Sequence, residues 1–469
     1  MARPNILFIM TDQFRFDALG CINGWTKTPN LDRLAAAGML FTNAISNSLE
    51  CVPARFSLAT GLYPHQSGVW ENRPLTLSAE FPNWMQAVEA AGYRTSLFGK
   101  VHLHRHRRDL REDLPLMHEL GLQVVNETTG PPGNARVLGE MTALWEERGY
   151  WDAYKDYMER HGGEAHYEPE PSPLPLELYY DVYVPQQAIK YLRALDAGDP
   201  WFCWVSFGGP HPPYDTPEPY ASMYAPNDIP PPLPRMTNAD DARGLVKESL
   251  HSKRLSPDLN NRQVAKLRAD YAGAITLIDE QIGELLATVK ARGELDDTLV
   301  IFTSDHGEMN GDHGAFGKST SLDGALRIPL IVVPPKAEKT ASGERSGALV
   351  ELMDVGATIV DYAGAKLPRK SEARSLKSVL EGVRTFREFS VSEFENQHVM
   401  VTARWKAEFN KRMKAILLID RKNDPGETVD LSRDRSMKQV IADLTETFER
   451  FLAHTPEVQG VALKRKEAG

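Results

Sequence analysis

The sequence predicts an α/β protein, with a large mixed, mostly parallel sheet sandwiched by helices and a small C-terminal α+β subdomain containing an antiparallel sheet. Two observations carry this. Short apolar runs at residues 5–10, 94–98, 201–207 and 298–303 each stop in a polar cluster, and helical stretches lie between them. Past about residue 375 the pattern changes, and short strands follow one another at hairpin-like spacing. The boundaries read from this are 1–375 for the α/β domain and 376–469 for the subdomain.

Composition narrows the function classes. The chain has 469 residues, 42% hydrophobic and 25% charged, with a formal net charge of −10. A broad nucleic-acid footprint is not expected from that balance, so positive charge must be concentrated wherever an anion binds. The three cysteines, Cys21, Cys51 and Cys203, argue against a disulfide framework and suit a reducing compartment. The apolar run at 6–10 is too short for a signal-peptide core or a membrane span. A cytoplasmic protein without membrane or nucleic-acid partners is expected.

Taken in order, residues 5–10 read as a buried strand that delivers Asp12 and Gln13 at its carboxyl end, where ligands gather in open α/β sheets. A helix starts at Pro29 and stops at Gly38. Residues 51–61, Cys-Val-Pro-Ala-Arg-Phe-Ser-Leu-Ala-Thr-Gly, read as a helix with Gly61 as its C-terminal stop. Its start, with Arg55 beside it, is a ready place for sulfate or phosphate, and Cys51 is a candidate nucleophile there. Residues 81–91 give a helix with Trp84, Met85, Val88 and Ala91 on one face. The strand at 94–98 then delivers Lys100 and His102.

Residues 105–185 are the least regular part and read as an insertion, a substrate-facing lid or a homo-oligomer contact. A helix follows at 183–195, with Pro185 near its start. The strand at 201–207 leads into Gly208-Gly209-Pro210-His211, and a proline-rich connection covers 226–235. Tyr271, Ile275, Ile278, Ile282, Leu285 and Val289 form the core stripe of a long helix. The strand at 298–303 delivers Asp305 and His306, with Lys318 beyond. Another strand is expected at 328–333 and a helix at 352–362. In the subdomain, strands are expected at 389–392, 399–402 and 415–419, a turn at 423–427 and a helix at 436–453.

Four strand ends can therefore converge on the Cys51 helix. Asp12, Gln13, Asp305 and His306 offer carboxylate, amide and imidazole donors, and residue 51 a fifth ligand. Such a mixed oxygen and nitrogen shell suits one divalent cation, Ca²⁺ first, with Mn²⁺ or Mg²⁺ as alternatives.

At these residues the chain resembles a known family, the type I sulfatases of the alkaline phosphatase superfamily. Cys51-Val52-Pro53-Ala54-Arg55 with Thr60-Gly61 is similar to the signature in which the cysteine is oxidised to Cα-formylglycine. Gly92-Tyr93-Arg94-Thr95 with Gly99-Lys100-Val101-His102 is similar to a second signature, with valine where tryptophan is usual. Thr11-Asp12-Gln13, Gly209-Pro210-His211 and Ser304-Asp305-His306-Gly307 with Lys318 are similar to others, in the family's order, over residues 3 to about 435.

The resemblance implies an alkaline phosphatase-like fold and hydrolysis of a small-molecule sulfate ester, after a formylglycine-generating enzyme has matured Cys51. One hydroxyl of the hydrated aldehyde attacks sulfur and its proton passes to Asp305. The other loses its proton to His102, so that sulfate is eliminated and the aldehyde returns. Arg55 and Lys100 hold the formylglycine, Lys100 and Lys318 hold the sulfate oxygens, and His211 protonates the leaving alcohol.

Gln13 stands where many sulfatases have a second aspartate, and His306 where many have asparagine. Both are similar to bacterial relatives that hydrolyse phosphonate monoesters and phosphodiesters, as is Asn72, read as facing the substrate. Lys100 and His102 depart from that group and favour the sulfate ester. A rival of another class is a catalytically silent anion-binding protein whose Cys51 is never matured; the intact set of charged residues argues against it. Cys21 and Cys203 read as buried small apolar residues, and His65, His104 and His313 as loop groups or as groups standing behind the reacting residues. Asp312 is expected to orient a neighbour, and Glu308 to cap or pair rather than coordinate. Specificity for the alcohol is expected from 105–185, the loop near residue 240 and the C-terminal subdomain.

Overall fold

A computed structural model describes residues 3–161, 167–196, 198–238, 243–252, 255–338, 342–367 and 371–463. The loop near residue 240, expected to shape specificity, lies outside the described residues. The central sheet has eight strands among them: β1 (Asn5–Thr11), β2 (Met39–Ile45), β4 (Arg94–Lys100), β5 (Val124–Thr128), β6 (Trp201–Ser206), β7 (Thr298–Ser304), β8 (Leu330–Val333) and β9 (Glu344–Glu351), where β3 is the short strand Thr76–Leu77. Their order across the sheet is β5-β4-β6-β1-β7-β8-β2-β9. All neighbours run parallel except β8, which is antiparallel to both β7 and β2. The large mixed, mostly parallel sheet is thus present.

Register brings the chemistry to one edge. Met10 pairs with Ser206, Thr11 with Ser304 and Gly99 with Ser206, so β4, β6, β1 and β7 end level with one another. Strands β1, β6 and β7 carry apolar runs up to their last residues because both faces are covered. Ile6, Phe8 and Met10 join the core on one side, and Leu7 and Ile9 the core on the other. The helices Cys51–Thr60, Trp84–Ala90 and Asp354–Tyr362 cover the first face; Pro29–Ala37, Tyr180–Ala194 and the 31-residue helix Asn261–Ala291 cover the second. Gly99 is required where it stands, since its φ is +104° and a Cβ would lie 1.9 Å from the Ser206 carbonyl oxygen.

After the central sheet the chain forms a four-stranded antiparallel sheet, β10 (Phe389–Phe394), β11 (Gln397–Thr402), β12 (Trp405–Phe409) and β13 (Ala415–Asp420). The helix Lys438–His454 covers it through Phe448, stacked on Phe409. A last strand, β14 (Ala462–Leu463), pairs back with β3. No helix among the described residues is long and apolar enough to cross a membrane.

The structure corrects several expectations. Residues 105–185 are not set apart from the core: they supply the edge strand β5, and Trp145, Tyr154 and Tyr157 from this stretch are almost fully buried. The sequence carries no strand signal at β5, because only two of its five residues are apolar and its start is exposed. Strands β2, β9 and β12 were also unexpected. Cys21 is half-buried, on the short surface helix Gly20–Asn23, rather than in the core, whereas Cys203 is buried.

Candidate active site

The level strand ends set four groups around the start of the Cys51–Thr60 helix. Asp12 and Gln13 follow β1, Lys100 ends β4, His211 lies in the loop after β6, and Asp305 and His306 follow β7. Lys318 comes in from the loop beyond β7. Asp12, Arg55, Asp305 and His306 are fully buried, and Cys51 and Lys100 are 2% exposed.

Cys51 Sγ is the centre of the group. Lys318 Nζ lies 3.0 Å away and Lys100 Nζ 3.8 Å; His306 Nε2 is at 3.2 Å and Asp12 Oδ1 at 3.7 Å. Burial pushes the thiol's pKa up, as does Asp12, but Lys100, Lys318 and His306 outweigh them and hold it well below the ordinary value. Lys318 is pushed up against the cost of its burial, chiefly by Cys51 and Asp12, and so stays protonated. Two ammonium groups thus face the atom at the head of the helix.

The donors on the other side are fixed from behind. Arg55 Nε donates to Asp305 Oδ2 at 2.8 Å and Nη2 to Asp12 Oδ2 at 3.3 Å, while Nη1 donates to the Lys100 carbonyl at 2.7 Å and to Ser206 Oγ at 3.1 Å. Lys100 Nζ donates to Asp12 Oδ2. Asp305 Oδ1 accepts from the backbone N–H of His306 at 3.0 Å and of Gln13 at 3.2 Å. Asp12 is held well below the usual carboxylate range, since Lys100 and Lys318 overcome the effect of burial; Asp305 is raised by burial and by the charge of Asp12.

His306 Nδ1 donates to the Gly307 carbonyl at 3.0 Å, which turns Nε2 toward Cys51 at 3.2 Å and Lys318 Nζ at 3.1 Å. Burial pulls the ring's pKa down, but the charge of Asp305 outweighs this and raises it. Asp12, Cys51, Asp305 and His306 hold one ligand atom each within 4.8 Å of the others. Gln13 gives its amide N–H to Glu308, and its Oε1 is buried without a hydrogen-bond partner. An orphaned carbonyl oxygen on the residue after Asp12, together with two carboxylates and an imidazole gathered at residue 51, fits a divalent cation. Glu308 pairs, as expected, accepting from Gln13, from the Asn310 N–H at 2.8 Å and from the Gly317 N–H.

His102 and His211 flank this centre. His102 Nε2 donates to the Thr129 carbonyl at 3.0 Å, and its buried Nδ1 has no hydrogen-bond partner. Burial and then Lys100 hold its pKa well below the ordinary value, so the ring is neutral with a free Nδ1 lone pair. His211 Nδ1 donates to the Pro212 carbonyl at 2.6 Å; burial and Lys318 bring its pKa down to about 3. Gln13 and His102 both take left-handed backbone, φ +70° and +55°, conformations that non-glycine residues adopt at a cost of about 1–3 kcal/mol and that cluster at functional sites.

Three expectations change. Arg55 bonds to the carboxylates rather than to residue 51, so it braces the donors. The helix start offers little to an anion, because Pro53 has no N–H and the Val52 N–H donates to Asn72 Oδ1 at 2.8 Å; the lysines must hold an anion instead. Asn72 is exposed and spends that oxygen on the helix start. Ser206, Thr129 and Glu308 support the site and were not singled out as parts of it, since a lone polar residue after a strand carries no distinguishing signal.

Comparison with known proteins gives the same picture from outside. A family model described as Sulfatase matches residues 4–365, and one described as N-sulphoglucosamine sulphohydrolase, C-terminal, matches residues 311–454. An arylsulfatase of Clostridium perfringens is 29% identical over 94% of this chain and 92% of its own length. The multifunctional alkaline phosphatase superfamily protein PehA of Trinickia caryophylli is 31% identical over 80% of this chain and 77% of its own. Among solved structures, the phosphonate monoester hydrolase of Agrobacterium radiobacter aligns with a TM-score of 0.80 at 26% identity, covering 99% of this chain and all of that one.

Proposed function

This chain belongs to the sulfatase family and is a sulfuric ester hydrolase, and we propose that it cleaves a sulfate monoester to an alcohol and inorganic sulfate at residue 51. The observation that carries this is the setting of Cys51 Sγ, with Lys318 and Lys100 on one side and Asp12 and His306 on the other. Sγ stands where the oxygen of formylglycine would lie once a maturation enzyme has oxidised the cysteine. The hydrated aldehyde would supply a hydroxyl nucleophile in place of the thiol and a second hydroxyl through which the product is released.

Asp12, Asp305, His306 and Gln13 Oε1 would hold one divalent cation, with residue 51 as a further ligand. We favour Ca²⁺, since three of those four protein donors are oxygens, with Mn²⁺ or Mg²⁺ as alternatives. When bound, the cation would supply Lewis acidity, lowering the pKa of the nucleophilic hydroxyl and offsetting charge on the ester.

The chain's own groups do the rest. Lys100 and Lys318 would grip the ester oxygens and oppose the charge that grows in the transition state. Arg55 is a positioning residue that keeps both carboxylates in place. Asp305, the carboxylate raised by burial, would take the proton of the attacking hydroxyl. The free Nδ1 of His102 would take the proton of the second hydroxyl, so that the C–O–S link opens and sulfate leaves. His211 is neutral in the free protein; the ester's negative charge must offset Lys318 before this ring can carry a proton to the leaving oxygen. The three cysteines are unpaired, which supports placement in a reducing, cytoplasmic compartment.

A second reading, hydrolysis of a phosphonate monoester or phosphodiester on the same residues, is favoured by Gln13 and His306 and by the likeness to the Agrobacterium enzyme. Peptide mass spectrometry at Cys51 tests what both share. Formylglycine exchanges sulfur for oxygen and removes two hydrogens; finding only thiol in protein from the native host would leave a silent anion-binding protein.

A further inference from the structure

We propose that His104, His106 and Glu127 form a second metal site, separate from the ester site and suited to Zn²⁺. The two histidines lie on the loop that leaves β4 past Lys100 and His102, and Glu127 lies on the neighbouring edge strand β5, level with Gly99. The three ligand atoms lie within 4.8 Å of one another. His104 Nε2 is 2.9 and 3.0 Å from the two Glu127 oxygens, and His106 Nε2 is 3.5 Å from Glu127 Oε1.

An ordinary ion pair accounts for His104 and Glu127, which are nearly fully buried. It accounts less well for His106, which reaches the same carboxylate only at 3.5 Å. That ring turns its Nε2 inward, buried and without a hydrogen-bond partner, at a distance from Glu127 too long for a good hydrogen bond. The position suits a ligand atom waiting for a cation between it and the carboxylate. Behind His104, Nδ1 donates to the Arg105 carbonyl at 3.3 Å, with the Asp113 carboxylate 3.6 Å away. A carbonyl on the far nitrogen of a metal-binding imidazole fixes its tautomer and turns Nε2 to the metal.

Two imidazoles and one carboxylate are a donor set characteristic of Zn²⁺, whereas the ester site is richer in oxygen. Binding would displace the proton that His104 Nε2 shares with Glu127, releasing it to solvent. The ion would tie the β4 loop to β5 and so steady the segment that carries Lys100 and His102; the His102 and His106 rings are 5.5 Å apart. This assignment does not depend on which ester the enzyme hydrolyses.

The test counts Zn²⁺ bound per chain by calorimetry and elemental analysis, for the wild type, His106→Ala and Glu127→Gln. His106→Ala keeps the His104–Glu127 pair and its fold is checked by circular dichroism without metal. The wild type is expected to bind one Zn²⁺ more than His106→Ala, or to bind that ion at least about tenfold more tightly, and to gain thermal stability on Zn²⁺ addition that the variant lacks. The same count and affinity in wild type and His106→Ala would overturn the proposal and leave a histidine–glutamate ion pair only. Should Glu127→Gln not fold, the His106→Ala comparison decides alone.

Discussion

Arg55 and Asp305 are joined in the interior of the protein, Nε to Oδ2 at 2.8 Å, with neither side chain exposed to solvent. The same guanidinium reaches Asp12, so one cation holds both carboxylates that face residue 51. Removing one partner of a buried ion pair leaves uncompensated charge, at a cost of about 3–5 kcal/mol. Arg55→Ala is therefore expected to lower the unfolding free energy by that order, read from the shift of the urea midpoint. Arg55→Lys is expected to recover only part of it, because one ammonium cannot reproduce the forked contacts.

Cys51→Ala removes the precursor of the nucleophile without enlarging a buried side chain. Its expected effect is a fall in ester turnover of at least about 10⁴-fold with little change in melting temperature. Steady-state kinetics beside a thermal melt check both parts.

His211→Ala should respond to the leaving group. For an alkyl ester, whose alcohol needs a proton, the expected loss in kcat is on the order of 10²–10⁴-fold. For a nitrophenyl ester, which leaves unaided, the loss should be much smaller. Equal losses for the two would contradict the role of proton donor.

Away from the site, Glu393 links the four-stranded antiparallel sheet to the short helix Pro64–Ser67 that carries His65. It accepts from His65 and His398, which overcome its burial and bring its pKa to about 2. A carboxylate depressed in the folded state stabilises above its unfolded pKa near 4.5, and that stability is lost as pH falls through 2. At 1.36 kcal/mol per pH unit this amounts to roughly 3 kcal/mol. Glu393→Gln should therefore lose stability at pH 7 by that order and show a flatter decline between pH 5 and 2, as read by denaturant titration across pH.

The sheet strands that were legible are those buried on both faces, such as β1 and β7, where an apolar run stops abruptly. Strand β12 was not, because it carries Lys406 and Glu408 inside. Both are fully buried, and they bond to Asp323, Glu427 and Ser321 from distant parts of the chain. Strand β9 opens with exposed Glu344 and Arg345, which hide its buried end at 348–351. At the site, the strand-end residues were legible because their types and order matched one chemistry. The bracing role of Arg55 was not, since a partner 250 positions away leaves no mark in the local sequence.

Turnover of a nitrophenyl sulfate, a nitrophenyl phosphonate monoester and a bis-nitrophenyl phosphodiester, compared as kcat/KM on protein whose residue 51 has been verified as formylglycine, tests the central claim most directly. The account predicts the sulfate as the best of the three. A sulfate turned over far more slowly than both phosphorus esters would contradict it.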